Sequence, residues 1–556
     1  MGNDNKKSLK KTISFFIITL AIIFILHVLF NIQIILKQPS ESWSKGVDLS
    51  VTTFNRPVSA QFITKDIGIL VYPVKDGKKV LGVTKVDEKL NVIDTYEVGF
   101  EMFNFNKVKK NDFVFKNKYI FWRNYSNNNL YISEFDEEFK SIINSRKIFE
   151  GVKGFSVVNK DNVYYIALIN LDEEVEVYKI KNNHKQKIDT PKDIKNVQMT
   201  NLIRHNDKLY LQIVNEERKD SFKKQVNIAE YSNERIIGIQ RIGSISTNTQ
   251  VDIEDIILGV DKDFVYSFTI MQVQGERTYK YIIDGYNRNN NTQLERMEIK
   301  AYKRYTDKVF TSVPILANSH TENLKVFTTA NTDLDIYNVN SNGIKMTLNG
   351  NEIKNIELMT NTNSWSHQLS LIDNGSIKHI FWLEPNGFGK GSMIKGATNN
   401  KMAFDILNKF ELKDLKIAIY REIPVFSYLF LLLGASQLLN SLPVLIWLGI
   451  IFFFSSYFEE KPKVAIIPGI VLNFICQILY VNSFYTYDKI IYFPELLKYT
   501  GLKVIIPIIM TILGYLVMKI YKNEYNDASL SRMYLVFWAF SYVFANYIYA
   551  PYLFIK

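Results

Sequence analysis

Histidine and cysteine, the residue types that hold zinc, are few and widely separated in this 556-residue chain. Zinc sites use histidine and cysteine ligands at short, regular spacings. Cys476 is the one cysteine, so a disulfide within the chain and a cysteine-rich metal site are both excluded. Five histidines stand alone, with no pair at ligand spacing: His184, His205, His320, His367 and His379. We therefore expect no metal ligands.

One asparagine-rich run has the spacing of the start of an EF-hand calcium loop. Asn338, Asn340 and Asn342 alternate along it, and Gly343 follows. Such a loop needs acidic ligands and a bidentate glutamate, whereas this run has none and places Asn349 at the glutamate position. An Asn-Gly pair is a strong hairpin signal, so the sequence predicts a turn at Asn342-Gly343.

Motifs for covalent or phosphoryl chemistry are absent or isolated. Ser221 and Lys224 stand in an SxxK arrangement, but within a polar, turn-like segment and without the companion motifs of that chemistry. The sequence has no HExxH, no GxSxG and no glycine-rich phosphate loop. The acidic clusters at Asp136–Glu138 and Asp172–Glu174 fall at predicted turns and are interpreted as solvated loops. We assign no catalytic residue and no cofactor, and an enzyme is not the favoured class.

Polar side chains inside apolar segments are the remaining candidates. Asn473 and Gln477 are four residues apart, hence on one helical face, and Asn546 lies in the last apolar segment. Interhelical hydrogen bonds are the simplest prediction for all three, and a substrate pathway is the alternative. His27, in the first apolar segment, is expected to be a neutral imidazole bonded within a bundle, with a proton relay as the alternative.

The middle of the chain, residues 47–403, lies between the first apolar segment and the later ones and has a repeating pattern. Short polar turns lead into runs of β-branched and aromatic residues, and the pattern returns about every 50 residues. About seven such units fit a β-propeller of four-stranded blades in an all-β domain. Six or eight blades remain open, and two stacked β-sandwiches are the main rival architecture.

One repeat, residues 152–196, can be divided into strands. The predicted strands are Phe155–Asn159, Asn162–Asn170, Glu173–Lys181 and Lys185–Thr190. Asn and Asp residues between them tolerate turn geometry. The second strand of most units is nearly continuous apolar sequence, which is typical of a strand covered on both faces.

The N-terminal segment predicts a membrane anchor. Four lysines within residues 1–11 precede an uncharged run over residues 12–36, which is long enough to cross a bilayer. No small-residue cleavage site follows, so the anchor is expected to be uncleaved. The lysines predict that residues 1–11 are cytoplasmic and that residues 47–403 are extracytoplasmic.

The C-terminal part predicts an amphipathic connector helix and a helical membrane bundle. The connector covers residues 404–421 and the bundle residues 423–556. Ser541 and Ala545 form a small-xxx-small pair suited to close helix packing. Five spans are predicted, near 423–440, 442–458, 464–487, 502–521 and 533–555.

Six spans, counting the anchor, place three lysines inside and five basic residues outside in the tail, against the positive-inside rule. A single crossing by residues 423–458, with a re-entrant part, reverses that count. The number of spans and the side of the last helix therefore stay open.

Charge distribution argues against a nucleic-acid partner. The net charge is +11, but residues 38–403 carry 49 Lys and Arg against 45 Asp and Glu. A phosphate-binding surface needs a concentrated basic excess, whereas much of this one flanks the apolar segments. The abundance of Asn, Lys, Ile and Tyr is typical of AT-rich bacterial genomes.

Together these features predict a multi-pass protein of the bacterial cell membrane with α and β parts. The expected function is binding or scaffolding, in which the propeller engages another macromolecule at the cell envelope. The partners we expect are the lipid bilayer and a protein. The alternatives are a component of a transport or export system that uses the C-terminal bundle, and an extracytoplasmic enzyme acting on the envelope. Neither the ligand nor the oligomeric state follows from the sequence.

Overall fold

The chain divides into two compact units, a β-rich unit and a helical unit. The computed structural model describes residues 2–36, 38–53, 58–74, 80–100, 113–160, 162–182, 184–217, 220–273, 279–299, 310–319, 321–332, 340–362, 364–386, 391–432, 440–483, 485, 493–525 and 527–549. The β-rich unit covers described residues between 38 and 409, and the helical unit covers described residues of 2–36 and 410–549.

The β-rich unit is a seven-bladed β-propeller. Each blade is a four-stranded antiparallel sheet, and six of the blades use four consecutive strands. Blades 1 to 3 contain twelve consecutive strands: β2 Ser59–Phe62, β3 Ile67–Pro73, β4 Val80–Asp87, β5 Val92–Gly99, β6 Phe113–Lys116, β7 Tyr119–Asn124, β8 Asn129–Phe135, β9 Ile142–Phe149, β10 Gly154–Lys160, β11 Val163–Ile169, β12 Val175–Lys181 and β13 His184–Lys187.

Blades 4 to 6 continue in the same order. Their strands are β14 Val197–His205, β15 Lys208–Glu217, β16 Asp220–Ser232, β17 Arg235–Ser246, β18 Val251–Val260, β19 Phe264–Val273, β20 Tyr279–Asn287, β21 Met297–Ile299, β22 Ile315–Ala317, β23 Leu324–Thr332, β24 Asn340–Asn349 and β25 Glu352–Leu358. Blade 7 combines β26 His367–Asp373, β27 Lys378–Pro385 and β28 Ser392–Thr398 with β1 Val47–Thr52, the first strand of the chain. The prediction of a propeller with four-stranded blades is confirmed, with seven blades.

Each interface between neighbouring blades has its own hydrophobic core. Phe121 of blade 2 and Ile166 of blade 3 belong to one buried cluster, and Val71 of blade 1 and Trp122 of blade 2 belong to another. Seven such clusters fill the seven interfaces of the ring. The second strands are apolar throughout because both of their faces are covered. β11, for example, is buried from Tyr164 to Ile169.

The repeat at residues 152–196 agrees closely with its predicted strands. The four strands of this blade are β10 to β13, and each lies within a few residues of its prediction. Asparagines at left-handed φ form several of the propeller's turns: Asn117, Asn162, Asn182, Asn206 and Asn233.

The turn predicted at Asn342-Gly343 is wrong. Both residues lie inside β24, where Asn342 pairs with Ala330 and Gly343 pairs with Thr329. Asn342 is buried, and its Oδ1 accepts the backbone N–H of Thr362 at 2.8 Å. The turn that follows β24 is made by the next Asn-Gly pair, Asn349-Gly350, where the φ of Gly350 is +58°.

An ion cluster fastens β1 to the rest of blade 7. Lys395 Nζ lies 3.2 Å from Asp48 Oδ1 on β1 and 3.3 Å from Glu384 Oε2 on β27. The indole N–H of Trp382 donates to Glu384 Oε1 at 2.8 Å. The two carboxylates raise the pKa of Lys395 despite its burial. The cluster therefore holds the N-terminal strand at the closure of the ring.

The chain enters and leaves the propeller at adjacent positions. Ser44 and Thr398 exchange hydrogen bonds of 2.9 and 3.1 Å, and the backbone N–H of Lys45 donates to Asn408 Oδ1 at 2.7 Å. A short helix, α2 Lys401–Leu407, follows the last strand and buries Ala403 and Leu407 against blades 7 and 1.

The connector predicted as one helix over residues 404–421 is two helices. Asn408 ends α2, and the Asp414 side chain accepts the Glu411 N–H at 2.9 Å before α3, Leu412–Leu432. α3 then runs past residue 421 without an interruption. The backbone N–H of Asn408 donates to Phe404 O at the end of α2, and the Asp414 side chain bonds the residue just before α3, so the break falls between them.

The helical unit contains the long N-terminal helix, α1 Gly2–Leu36, together with α3 and six helices after it. Those six, among the described residues, are α4 Leu442–Phe453, α5 Ser455–Glu460, α6 Pro462–Asn482, α7 Glu495–Lys498, α8 Leu502–Glu524 and α9 Leu530–Tyr549. Three segments in this described part are long and apolar enough to cross a membrane: Thr12–Gln33, Pro462–Asn482 and Leu502–Glu524. α4 is apolar but shorter, because the helix stops at Phe453 and α5 begins after it.

Paired contacts determine the relative directions of α6, α8 and α9. α6 and α9 run parallel, since Tyr534 Oη donates to Gly469 O at 2.8 Å and Tyr480 Oη donates to Asn546 Oδ1 further along both helices. α8 runs antiparallel to α9. Ser541 lies against Gly514 in the middle of α8, and Tyr549 Oη lies 3.4 Å from Leu502 O at its start.

α1 has the same direction as α6 and α9. Phe15 contacts Phe540, with ring centroids 5.8 Å apart, and His27 contacts the backbone of Tyr547. α3 is antiparallel to α1, because Ile35 packs near Ala418 while Asn31 bonds to Glu422.

Candidate functional site

A groove of about 670 Å³ lies on the propeller between blades 4 and 5. One wall is formed by strands β15 to β17, and the other by the end of β20 and the turn after it. The turn belongs to the asparagine-rich segment 287–292, where Asn287 N donates to Thr292 O at 2.8 Å. Arg288, Asn289 and Asn291 of this segment line the groove.

Cationic side chains outnumber carboxylates in the groove lining. Lys208, Lys262 and Arg288 line it together with a single carboxylate, that of Glu230. Lys208 forms an ion pair with Glu230, and Arg288 Nη1 donates to the backbone O of Asp261 at 2.8 Å. Lys262 Nζ is 3.7 Å from Asp263 Oδ2, a loose pair. The lining therefore presents a positive surface to a ligand.

The outermost strand of blade 4 forms the apolar rim of the groove. β17 is at the edge of its sheet and is 12 residues long. Ile237 and Ile239 are 55% and 45% exposed on it and line the groove. A long edge strand with exposed apolar side chains is a template for pairing with another chain.

The predicted intramembrane residues Asn473 and Gln477 are completely buried in the helical unit, at 0% exposure. Both amide atoms of Asn473 and both of Gln477 have no hydrogen-bond partner in the described part of the chain. The expected interhelical hydrogen bonds are therefore absent at these two residues. An unpaired buried polar group costs about 1–3 kcal/mol, so these amides form a polar site in an apolar core.

Asn546 has the opposite environment. Its Oδ1 accepts a hydrogen bond from Tyr480 Oη on α6, and its Nδ2 donates to Tyr542 O at 2.8 Å. Asn546 thus joins α6 to α9. The structure brings it to the same helix pair as Asn473 and Gln477 without a hydrogen bond between them.

One functional candidate was missed by sequence reasoning. Glu422 is completely buried on α3, and its carboxylate accepts a hydrogen bond from Asn31 Nδ2 on α1. Glu422 falls between the predicted connector, residues 404–421, and the predicted bundle, which begins at residue 423. A helix predicted to continue through residue 422 would have revealed it, since α3 begins at Leu412 and Glu422 is at its midpoint.

Local structure explains several of the remaining catalytic and metal candidates, whereas His320 and Asn338 lie outside the described residues. Segment 221–224 is not a turn but the start of β16, where Glu216 and Lys224 face each other across the sheet and form an ion pair. Asp136 accepts hydrogen bonds from Lys140 N and Ser141 Oγ within a turn. Among the described residues, no group of His, Cys, Asp and Glu could hold a metal ion.

His379 is the described propeller histidine with a large pKa shift. It is completely buried on β27, with Nδ1 2.9 Å from Thr398 Oγ1. Burial lowers its pKa from 6.5 to about 4, because the charged imidazolium loses its hydration. It packs on Phe62 and Phe381, which indicates a structural role.

Comparisons with known proteins provide no family for this chain. No protein-family profile matches the sequence, and no curated protein matches it. Among solved structures, an ulvan lyase of polysaccharide lyase family PL25 superposes with a TM-score of 0.43 and 9% identity, over 66% of this chain and 100% of that chain. The polysaccharide lyase Uly1 gives 0.41 and 7%, over 62% and 90%.

A third solved structure is that of extracellular domains 1–2 of Drosophila Semaphorin 1b. It superposes with a TM-score of 0.33 and 7% identity, over 64% of this chain and 87% of that one. Likenesses with TM-scores this low carry no functional inference for this chain.

Proposed function

We propose that this protein is a membrane-anchored binding or scaffold protein of the cell envelope. Its propeller engages another protein through the groove between blades 4 and 5. The occupant is an extended, acidic segment of the partner. The observation that carries this proposal is the combination in one groove of three cationic side chains and an exposed edge strand.

Charge complementarity supports an acidic partner. Carboxylates of a bound segment would meet Lys262 and Arg288, and such pairing increases association rate and specificity. The exposed Ile237 and Ile239 offer apolar contacts beside the cations. The edge of β17 between Ile236, whose N–H donates to Asp189 Oδ2, and Ile242, whose carbonyl accepts from Gln293, can add a strand through backbone hydrogen bonds, as in β-augmentation.

The helix directions support an extracytoplasmic propeller. α6 and α9 begin, and α8 ends, on the side of the helical unit where α1 begins. Five basic residues of the tail then share that side with the N-terminal lysines: Lys461, Lys463, Lys519, Lys522 and Arg532. This distribution obeys the positive-inside rule and corresponds to a single crossing by residues 423–458.

Crosslinking in intact cells tests the groove. The tagged full-length protein is crosslinked, and co-purifying proteins are identified by mass spectrometry. Ile239→Glu and Lys262→Glu are each expected to reduce capture of the specific partner about tenfold, since each places a negative charge against an acidic segment. Ile143→Glu and Lys147→Glu are the matched controls, because both change exposed residues on β9 of blade 2.

Equal loss of capture in the groove variants and the blade 2 variants would contradict the proposed site. Capture of only a second copy of the chain would contradict a partner-binding function. It would favour a second candidate function, a transport component. The buried, unpartnered amides of Asn473 and Gln477 are the observation behind that candidate.

A further inference from the structure

A buried polar cluster joins three helices of the helical unit. Asn31 Nδ2 on α1 donates to Glu422 Oε1 on α3, and His27, one turn before Asn31, donates through Nε2 to Tyr547 O on α9 at 2.8 Å. His27, Asn31 and Glu422 are 3%, 1% and 0% exposed. The surrounding contacts are apolar, with Val28 and Ile35 of α1 packed against Ala418 of α3.

The carbonyl oxygen of the Asn31 amide is a buried acceptor whose environment suits a bound cation. Asn31 Oδ1 is buried and accepts no hydrogen bond from the described residues. The nitrogen of the same amide donates to Glu422 Oε1, so turning the amide over would bring its carbonyl oxygen to the carboxyl group. Amide and carboxylate oxygens are the ligands that small hard cations prefer.

We propose that Asn31 and Glu422 bind a small monovalent cation, either a proton or a metal ion such as Na⁺, between α1 and α3. A metal ion would contact the Glu422 carboxylate and, once the amide turned over, Asn31 Oδ1. A proton would convert Glu422 to the neutral acid, whose O–H would donate to Asn31 Oδ1 once the amide turned over. In both cases the cation gives the unpartnered oxygen of Asn31 a ligand beside a buried carboxylate.

The site lies between the two helices that precede and follow the propeller in the sequence. Cation binding would therefore stabilise the pairing of α1 with α3. Other titratable or charged residues on the packed helices include His27 on α1 and Tyr547 on α9. On α3 they include Asp414, two turns earlier, and Lys416, Tyr420 and Arg421, which are nearer in the sequence. Asp414 accepts the Glu411 N–H at 2.9 Å and so has its own role at the start of α3.

Thermal unfolding of the purified full-length protein in detergent tests the proposal. One arm exchanges choline for Na⁺ at constant ionic strength and alkaline pH. The other lowers the pH in choline alone. We expect the Tm of the unmodified protein to rise by about 2–4 °C in one arm, because a ligand that binds only the folded state stabilises it. Glu422→Gln should remove that rise, whereas Glu524→Gln, in α8 of the same unit, should retain it.

A rise with Na⁺ that needs Glu422 identifies a metal ion, and a rise with acid that needs Glu422 identifies the proton. Equal responses of the unmodified protein and Glu422→Gln in both arms would overturn the proposal. Carbodiimide labelling of Glu422, read by mass spectrometry, needs no variant. Labelling should fall when Na⁺ binds or when the carboxyl loses its proton, and labelling that neither condition changes would also overturn the site. Both results are independent of the groove experiment.

Discussion

At the scale of single residues, His379 shows how burial in a blade sets protonation. The folded pKa is about 4, whereas an unfolded histidine titrates near 6.5. Between these values the unfolded chain binds more protons than the folded one, so the stability of the folded state falls as the pH falls. The neutral, buried His379 therefore lowers the free energy of unfolding by about 3 kcal/mol near pH 4, and this loss is absent above about pH 7.

The variant His379→Gln is therefore expected to reduce the acid sensitivity of the propeller. Between neutral pH and about pH 4.5 it should lose about 2–3 kcal/mol less stability than the unmodified protein, measured by urea unfolding at each pH. His184→Gln is the control, because His184 is exposed on β13. An unchanged pH dependence in His379→Gln would show that His379 is not buried as a neutral imidazole.

Residue types alone could not reveal which buried amides lack partners. Asn473, Gln477 and Asn546 all carry side-chain amides within apolar segments, yet only Asn546 meets a tyrosine hydroxyl across the helix pair. That difference depends on helix rotation and depth. The sequence determines neither, because apolar residues surround both positions. Glu422 was missed for a related reason, since its environment depends on where α3 begins.

At the scale of elements, one glycine sets how closely α6 and α9 approach. A Cβ added at Gly469 would lie 2.5–2.9 Å from the ring atoms and hydroxyl of Tyr534, which is completely buried and bonded to the Gly469 carbonyl. Close backbone approach through small residues is typical of packed membrane helices.

Gly469→Val is expected to destabilise the helical unit by about 1–3 kcal/mol through overpacking. The measurement is the Tm of the purified protein in detergent. Gly449→Val in α4 is the matched control, since a Cβ there has no heavy atom within 4 Å. A Gly469→Val protein with the Tm of the control would contradict the α6–α9 contact.

Strands were more predictable than helix boundaries. The period of the repeats, the apolar second strands and the asparagine turns all encode the same blade, so local and global signals agree. The turn predicted at Asn342-Gly343 is wrong because these residues lie inside β24, where pairing with β23 determines the conformation. The division of the connector into α2 and α3 depends on the backbone hydrogen bond that ends α2 at Asn408 and on the side-chain bond of Asp414 to Glu411, which hydrophobic periodicity does not detect.

At the scale of the whole molecule, the propeller is an insertion between two antiparallel helices. α1 precedes it and α3 follows it, and the two ends of the propeller are hydrogen-bonded to each other. A domain with adjacent ends can be inserted in a helix pair without separating the helices. The repeat period predicted the propeller, but the helix directions required tertiary contacts, so the number of spans remained open in the sequence.

Measuring the orientation of the chain in the membrane is the most direct test of an extracytoplasmic propeller that binds a partner. In a Cys476→Ser background, Ser126→Cys places a thiol on an exposed turn of blade 2, and Lys522→Cys places one near the end of α8. Intact cells are treated with a membrane-impermeant maleimide, and labelling is compared with that of lysed cells. We predict that Ser126→Cys reacts in intact cells and that Lys522→Cys reacts only after lysis. The reverse pattern would put the propeller in the cytoplasm and contradict a binding function at the cell envelope.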